Sequence, residues 1–351
     1  MGEIKHRKEI MIYSTRLKRL FKKIGNKVDA VLIFGDGNLL RFLTGHGEGN
    51  AIAKPRGIEF FVPEMLAEAA SKTGMKVHIC SKRDDYFSII NKFLGNAKNL
   101  GIRFDVLSHS SFLDLEKTFK KRNLVNISPD INEAFVEKDE EEIASLKKAC
   151  ELTALAAKAI PSMLRAGMTE IELMREINYK MKMIGGGFVS FGENTAHPHH
   201  QCSERKLRKG DFVMADFGCT VNGVGSDITR TFCYGQASKK QKQVYNEVWN
   251  AQKMAFDMIK DGKEITDINK AINEMFEKDG YGHFIHSIGH SLGYFGTGFK
   301  NVKNQILTVE PGIYIPGFGG VRIEDDILIT KDQKGFVNLT KASPAKELIE
   351  V

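Results

Sequence analysis

Side chains of the types that bind divalent metal ions recur in the C-terminal part of the chain, each inside a strand-like segment bounded by glycine or proline. Glycine and proline at these positions predict turns, so the strand-like segments are expected to form hairpins. The spacings allow all of these side chains to surround one pair of ions, an arrangement typical of a hydrolase. The five residues are Asp216, Asp227, His290, Glu310 and Glu324.

The two aspartates lie on either side of a predicted tight turn. An Asn-Gly pair at 222–223, between two apolar runs, is the strongest short-range hairpin signal. In the register set by this turn, Asp216 faces Thr229, and Asp227 faces Gly218. The aspartates then share one face as diagonal neighbours, roughly 7–8 Å apart at Cα, close enough to converge on a cation. The alternative is two unrelated acids at a strand end.

The two glutamates repeat this arrangement. Glu310 follows the apolar strand 305–309, and Glu324 lies in the run 321–326, beyond a loop built around 316–320. Their separation of fourteen residues is even, so a hairpin with an odd-numbered loop puts both side chains on one face. Four acids gathered without a cation would repel one another and have raised pKa values. A shared metal removes that repulsion.

His290 adds a nitrogen ligand to the four carboxylates. Glycines at 289 and 293 flank it and allow close approach of the backbone. Carboxylates with one imidazole suit divalent Mn, Co, Fe or Zn, whereas structural zinc favours a cysteine-rich site. A histidine on its own is more often structural, so its assignment as a ligand depends on the four acids.

The order of these residues resembles that of the metallopeptidases of pita-bread fold, which include Xaa-Pro dipeptidases, Xaa-Pro aminopeptidases, methionine aminopeptidases and a creatine-hydrolysing branch. The resemblance is carried by Asp216, by Asp227 eleven residues later, by Gly-His-x-x-Gly at 289–293, by Glu-Pro-Gly at 310–312 and by Arg-Ile-Glu-Asp-Asp at 322–326.

Further segments resemble the proline-specific branch of that family. Residues 16–20, 29–33 and 42–45 are similar to its N-terminal domain, which methionine aminopeptidases generally lack. The strand 226–232 is also similar to the version in proline-specific peptidases. The resemblance therefore favours the Xaa-Pro branch.

The expected fold class is α/β (α+β) in two domains. Residues 1–136 alternate helix-like and strand-like runs, which predicts a smaller creatinase/prolidase-like α/β domain. The acidic stretch 137–142 begins a long amphipathic helix. We expect the pita-bread (creatinase/aminopeptidase-like) catalytic domain to occupy residues 137–351.

Roles for the ligands follow from the resemblance. It implies that Asp216 binds one ion in bidentate fashion, and that His290 and Glu310 complete the coordination of the other. Asp227 and Glu324 are implied as bridges, and Glu310 also as the proton shuttle. Two ions about 3.5–4 Å apart share a hydroxide and polarise the scissile carbonyl, and a nearby carboxylate carries the proton to the leaving nitrogen.

His199 and Arg322 are further site candidates implied by the resemblance. His199, in the segment 194–200, occupies the place of a histidine that donates to the substrate or the tetrahedral intermediate. An exposed polar loop is the alternative for that segment. Arg322 is implied to support Glu324 or to bind a substrate carboxylate. A surface arginine on a strand is the alternative there.

One position departs from the family pattern. The family has a second catalytic histidine seven residues after the metal-binding one, and this chain has Thr297 there. The segment 291–309 is also shorter than in typical members. We expect reduced activity, an altered leaving-group preference or a substitute donor, with the metal ligands intact.

Composition bears on partners and compartment. Basic residues giving the net charge of +7 are mixed with acids, and clusters such as 239–242 are short, so no nucleic-acid partner is expected. No apolar run of about 18 residues occurs, and no signal-peptide core follows the charged start at 1–7. We therefore expect no membrane partner and a cytoplasmic location. Five scattered cysteines suit reduced thiols.

The resemblance implies a dinuclear metal-dependent exopeptidase that hydrolyses the N-terminal Xaa-Pro bond of dipeptides or short peptides through a metal-bridged hydroxide. Two divalent ions (Mn, Co, Fe or Zn), a short peptide substrate and a homodimer are expected. A general or methionine-type aminopeptidase is the alternative among enzymes. The alternative of another class is a non-catalytic pita-bread scaffold that binds peptides or proteins, although its usual mark is eroded metal ligands.

Overall fold

The computed structural model describes residues 2–80, 83–183, 185–330, 335–343 and 345–351. The chain divides into two units, Met1–Phe135 and Val136–Val351. Within the described ranges, none of the helices qualifies as a bilayer-spanning segment by length and hydropathy.

The first unit is built on a six-stranded mixed sheet. Its elements are α1 (Gly2–Ile24), β1 (Ala30–Ile33), α2 (Gly37–Thr44), β2 (Asn50–Lys54), β3 (Gly57–Val62), α3 (Ala67–Ser71), β4 (Val77–Ile79), α4 (Arg83–Leu94), β5 (Asn99–Ile102), α5 (His109–Thr118), β6 (Asn123–Asn126) and α6 (Ser128–Ala134). The strand order is β4-β3-β2-β1-β5-β6. All four residues of β1 are buried, as expected for a central strand covered on both faces. The predicted α/β alternation of this region is confirmed.

The second unit contains the hairpins predicted to carry the acids. Its elements are α7 (Glu140–Met163), α8 (Glu170–Met181), β7 (Gly185–Phe191), β8 (Phe212–Val221), β9 (Val224–Gly225), β10 (Ile228–Cys233), α9 (Lys239–Lys260), α10 (Ile265–Lys278), β11 (Ile306–Val309), β12 (Gly312–Ile315), β13 (Gly319–Arg322), β14 (Asp325–Ile329) and β15 (Phe336–Asn338).

Three helices of this unit begin at capping boxes, in which the side chain at the N-cap and the side chain three residues later each bind the other residue's backbone N–H. The N-cap residues are Asp139 for α7, Thr169 for α8 and Ser238 for α9. These short motifs fix where each helix starts before any tertiary contact forms.

Helices cover one face of the site-bearing strands. Along β8, the side chains of Val213, Ala215 and Phe217 are buried in a core cluster that includes residues of α7 and α8. Because side chains alternate along a strand, Asp216 points to the opposite face. A second core cluster joins α9 to β11, β13 and β14. The two clusters hold the acid-bearing strands by their apolar faces.

Two carboxyl groups outside those strands give the second unit a pH-dependent contact. Glu247 on α9 is hydrogen-bonded to Asp279, which follows α10; burial, and then Asp279, raise the pKa of Glu247 from 4.5 to about 7. In this pH range the folded state binds more protons than the unfolded chain, so the free energy of unfolding falls as pH rises from about 4.5 to about 7.

Replacing Glu247 by glutamine removes this titration. Because Glu247 is half-buried and solvent screens it, we expect Glu247→Gln to stabilise the fold by only about 1 kcal/mol at pH 8 and by less at pH 5. Differential scanning calorimetry at both pH values measures the effect. The exposed Glu274, changed to glutamine, is the control. An equal gain in melting temperature at both pH values would refute the assignment.

Candidate metal centre

The first hairpin has the register predicted from its turn. Val221 pairs with Val224, and Asp216 pairs with Thr229. Asn222 and Gly223 both have positive φ, 51° and 89°, which a two-residue turn of type I′ requires. The Asn-Gly pair therefore sets which residues of the two strands face each other, as predicted.

Asp227 lies in a gap of this ladder, between β9 and β10. Its backbone N–H donates to Oδ2 of Asp326, at 3.0 Å, and the thiol of Cys150 donates to the same oxygen, at 3.2 Å. Asp326 is fully buried, and burial raises its pKa well above the usual range. This contact joins the Asp227 backbone to the second hairpin. Asp326 was not identified as a site residue from the sequence.

The second hairpin brings the two glutamates face to face. Ile315 pairs with Gly319 across a three-residue loop, and Val309 pairs with Asp325 in the adjoining ladder. Both ladders keep one register, which places Glu310 opposite Glu324. The predicted odd-numbered loop and shared face are therefore present.

Threonine hydroxyls orient both glutamates. Thr308 donates to Oε1 of Glu310 at 3.1 Å, and Thr229, from the first hairpin, donates to Oε2 of Glu324 at 2.7 Å. The second of these bonds links the two hairpins directly.

His290 approaches the carboxylates from a separate segment. Its backbone N–H donates to the Thr308 hydroxyl, at 2.9 Å. Its Nε2 lies 3.6 Å from Oδ2 of Asp227 and 3.6 Å from Oε1 of Glu310. These distances are too long for hydrogen bonds, but two ligands of one ion adopt such a spacing when each lies about 2.0–2.2 Å from it. Ligand atoms of Asp227, His290 and Glu324 all lie within 4.8 Å of one another.

The electrostatics of the site fit a bound cation. Burial raises the pKa of Asp216 to about 7, even though Arg322 opposes the shift. Burial also raises the pKa of Glu310, and it raises that of Glu324 well above the usual range, with further contributions from neighbouring carboxylates. The interaction with Asp227 raises the pKa of His290 to about 9. Divalent ions would neutralise this charge, and carboxylates with one imidazole suit Mn, Co, Fe or Zn.

One cavity of about 530 Å³ gathers these groups. All five predicted ligands and His199 line it. The His199 ring lies beside that of Phe188, with centroids 5.7 Å apart. The structure thus brings six of the seven site residues predicted from the sequence to one cavity wall.

Arg322, the seventh, lies behind that wall and is 2% exposed. Its guanidinium donates to Oδ2 of Asp216 at 2.5 Å, to the Thr229 hydroxyl at 2.9 Å, to the Tyr314 hydroxyl at 2.8 Å and to the Pro198 carbonyl at 3.2 Å. These contacts do not fit a surface arginine. They do not fit an arginine that binds a substrate carboxylate either, because the N–H groups of Arg322 already donate to acceptors of the protein. Its geometry is that of a residue that holds Asp216 in place.

Tyr314 and His286 extend this network and were not assigned roles from the sequence. The Tyr314 hydroxyl lies 2.9 Å from Nε2 of His286, and burial lowers the pKa of His286 to about 4. The sequence contains a signal for the position of Tyr314: its even spacing from Glu310 puts both side chains on one face of the hairpin.

Thr297 lies away from the cavity. It is 4% exposed, and its backbone N–H donates to the Ser291 hydroxyl at 3.0 Å. Gln305, also buried, lies 3.5 Å from the Thr297 hydroxyl and donates to the Gly298 carbonyl at 2.6 Å. In this chain, the segment at the position of the family's second histidine is folded against its own backbone.

Comparison with known proteins agrees with this carboxylate-rich centre. Residues 144–331 match metallopeptidase family M24, and residues 16–134 match the creatinase/prolidase N-terminal domain. The chain belongs to metallopeptidase family M24. This confirms the predicted pita-bread fold and its creatinase-type N-terminal domain.

Individual relatives cover nearly the whole chain. An Xaa-Pro dipeptidase of Pyrococcus furiosus is 33% identical, over 93% of this chain and 97% of that protein. The structure of an Xaa-Pro dipeptidase from Bacillus anthracis has a TM-score of 0.87 at 31% identity, covering 97% of this chain and 100% of that one. An X-Pro aminopeptidase from Thermotoga maritima has a TM-score of 0.82 at 26% identity, covering 92% and 98%.

Metal binding at the carboxylates should stabilise the folded state. With Mn²⁺ at a hundred times its Kd, the free energy of unfolding is expected to rise by about 2.7 kcal/mol per site. Asp227→Asn should abolish most of this gain, and Asp261→Asn, at an exposed position after α9, should retain it. Chemical denaturation with and without Mn²⁺ gives the values. Full stabilisation of the Asp227 variant would place the metal elsewhere.

Loss of the Arg322 network should weaken the site without removing a ligand. Lysine cannot reproduce the planar fork that contacts Asp216, Thr229 and Tyr314, so Arg322→Lys is expected to lower Mn²⁺ affinity by about 10- to 100-fold. Isothermal titration calorimetry measures the affinity. Arg165→Lys, at a 54% exposed side chain, is the matched control. Equal Kd values for the two variants would contradict the positioning role.

Proposed function

We propose that this chain is a divalent-metal-dependent exopeptidase that hydrolyses the N-terminal Xaa-Pro bond of dipeptides or short peptides. The observation that carries the proposal is the convergence of four carboxylates and one imidazole on one cavity that also holds His199. Membership of family M24 supports peptide hydrolysis. The Xaa-Pro specificity of the dipeptidase and aminopeptidase relatives supports the choice of bond.

The proposed ligands are Asp216, Asp227, His290, Glu310 and Glu324. Two divalent ions held by them would supply a water nucleophile at neutral pH and polarise the scissile carbonyl. Mn, Co, Fe and Zn all accept this donor set. Asp227, His290 and Glu324 would hold one of these ions together, since their ligand atoms all lie within 4.8 Å of one another.

Three side chains of the protein are proposed to have further roles. Glu310, held by the Thr308 hydroxyl, takes a proton from the attacking water and delivers it to the leaving nitrogen. His199, exposed in the cavity, donates a hydrogen bond to the oxygen that gains negative charge. Arg322 keeps Asp216 oriented from behind the wall.

The organisation and setting of the enzyme are also proposals. We propose that residues 1–136 form the N-terminal domain and residues 137–351 the catalytic domain. A cytoplasmic location is supported by five cysteines that are all free thiols. A homodimer is proposed from the resemblance to the proline-specific branch, and sedimentation equilibrium measures it.

Hydrolysis of a matched peptide set tests the function. The set contains an Xaa-Pro dipeptide, an Xaa-Pro-Yaa tripeptide and a Met-Ala-Yaa tripeptide, assayed with metal-free protein reconstituted with Mn²⁺, Co²⁺ or Zn²⁺. We expect metal-dependent cleavage of the proline peptides. Mutating a residue that supports a metal ligand from outside the coordination sphere typically lowers activity about 10- to 100-fold. Asp227→Asn removes a proposed ligand itself and should lower kcat/KM by more than that.

Other outcomes separate the alternatives. Preferential cleavage of Met-Ala-Yaa would indicate a methionine-type or general aminopeptidase. Metal binding with no cleavage of any peptide would contradict the proposal and favour a binding scaffold, for which the position of Thr297 away from the cavity is the supporting feature.

A further inference from the structure

Glu170 is a fully buried carboxyl group outside the set that lines the metal cavity. It is the first residue of α8, directly after the N-cap Thr169. A charged group in such a place requires hydrogen-bond donors to replace water. The N-terminus of α8 adds a favourable electrostatic field, but the donors come from elsewhere.

Among the described residues, every hydrogen bond to this carboxylate comes from one segment, residues 191–203. Oε1 accepts from the backbone N–H of Phe191 and from the Asn194 side-chain amide, both at 2.8 Å. Oε2 accepts from the backbone N–H and the hydroxyl of Ser203, at 2.8 and 2.6 Å, and lies 2.9 Å from Nε2 of His200. A carboxylate offers about four acceptor sites, so this segment saturates it.

The partners of Glu170 lie on both sides of His199 in the chain. Two precede it, at positions 191 and 194, and two follow it, at positions 200 and 203. The rings of His199 and His200 point in different directions. His199 lines the cavity beside Phe188, whereas His200 is directed to Glu170. The His199 backbone is therefore held from both sides by one buried group.

We propose that Glu170 is the positioning residue that fixes the His199 ring at the metal cavity. The inference rests on the proposed function, in which His199 donates to the reacting oxygen. A donor displaced by about 1 Å can lower the rate about 100-fold. Glu170 does not line the metal cavity and acts through the segment it holds.

The test variant is Glu170→Gln, which keeps the shape and one oxygen but places an amide NH₂ among donors. Glu172→Gln is the matched control, since Glu172 belongs to the same helix start and its side chain accepts from the Thr169 backbone N–H in the capping box. Ser203→Ala removes a single donor from Oε2 and serves as the milder variant should Glu170→Gln fail to fold.

A double-mutant cycle with His199→Ala gives the kinetic readout. In the wild-type background, Glu170→Gln is expected to lower kcat by about tenfold or more and to leave KM within about twofold. In the His199→Ala background the same change should cost less than about threefold, because the group being positioned is already gone. Equal losses in both backgrounds, or no loss from Glu170→Gln, overturn the proposal.

A second readout needs neither metal nor turnover. Diethylpyrocarbonate modifies exposed imidazoles, and peptide mass spectrometry gives the rate at His199 in metal-free protein. Glu170→Gln, but not Glu172→Gln, is expected to change this rate by about threefold or more, because the segment opens locally. An unchanged rate overturns the proposal. If the wild-type protein cleaves no Xaa-Pro peptide with any metal, the proposed function fails, and this rate alone decides the role of Glu170.

Discussion

Repulsion among four carboxylates in one cavity is the constraint on which the second unit depends. Asp216, Asp227, Glu310 and Glu324 line the same cavity, and burial raises the pKa of Asp216, Glu310 and Glu324. A fold that gathers such groups without a counter-charge loses stability as they ionise. Arg322 provides one buried positive charge, and divalent ions would supply the rest.

Rigid strands keep the four acids together despite this repulsion. Each acid belongs to or adjoins a hairpin whose other face packs on helices, so the strands that carry the acids cannot separate without disrupting a core. The hairpins are joined by the bond from Thr229 to Glu324 and by the bond from the Asp227 backbone to Asp326. The placement of the four carboxylates is thereby set by backbone register rather than by loops.

Much of this site was accessible from the sequence because local rules determine it. The Asn-Gly turn and the odd-numbered loop fix the two registers, and side-chain alternation then assigns each acid to a face. Contacts between distant segments have no such local signal. Neither the pairing of Arg322 with Asp216 nor the buried bonds of Asp326 and Glu170 follow from spacing, since each depends on how separate elements pack. The position of Thr297 away from the cavity was likewise inaccessible, because it results from how its own segment folds.

The proposed dinuclear centre is tested most directly by the crystal structure of the Mn²⁺-loaded protein, with anomalous scattering measured above and below the manganese absorption edge. We expect two anomalous peaks about 3.5–4 Å apart, both within coordination distance of the group formed by Asp216, Asp227, His290, Glu310 and Glu324. A single peak, or peaks bound by other residues, would refute the dinuclear centre.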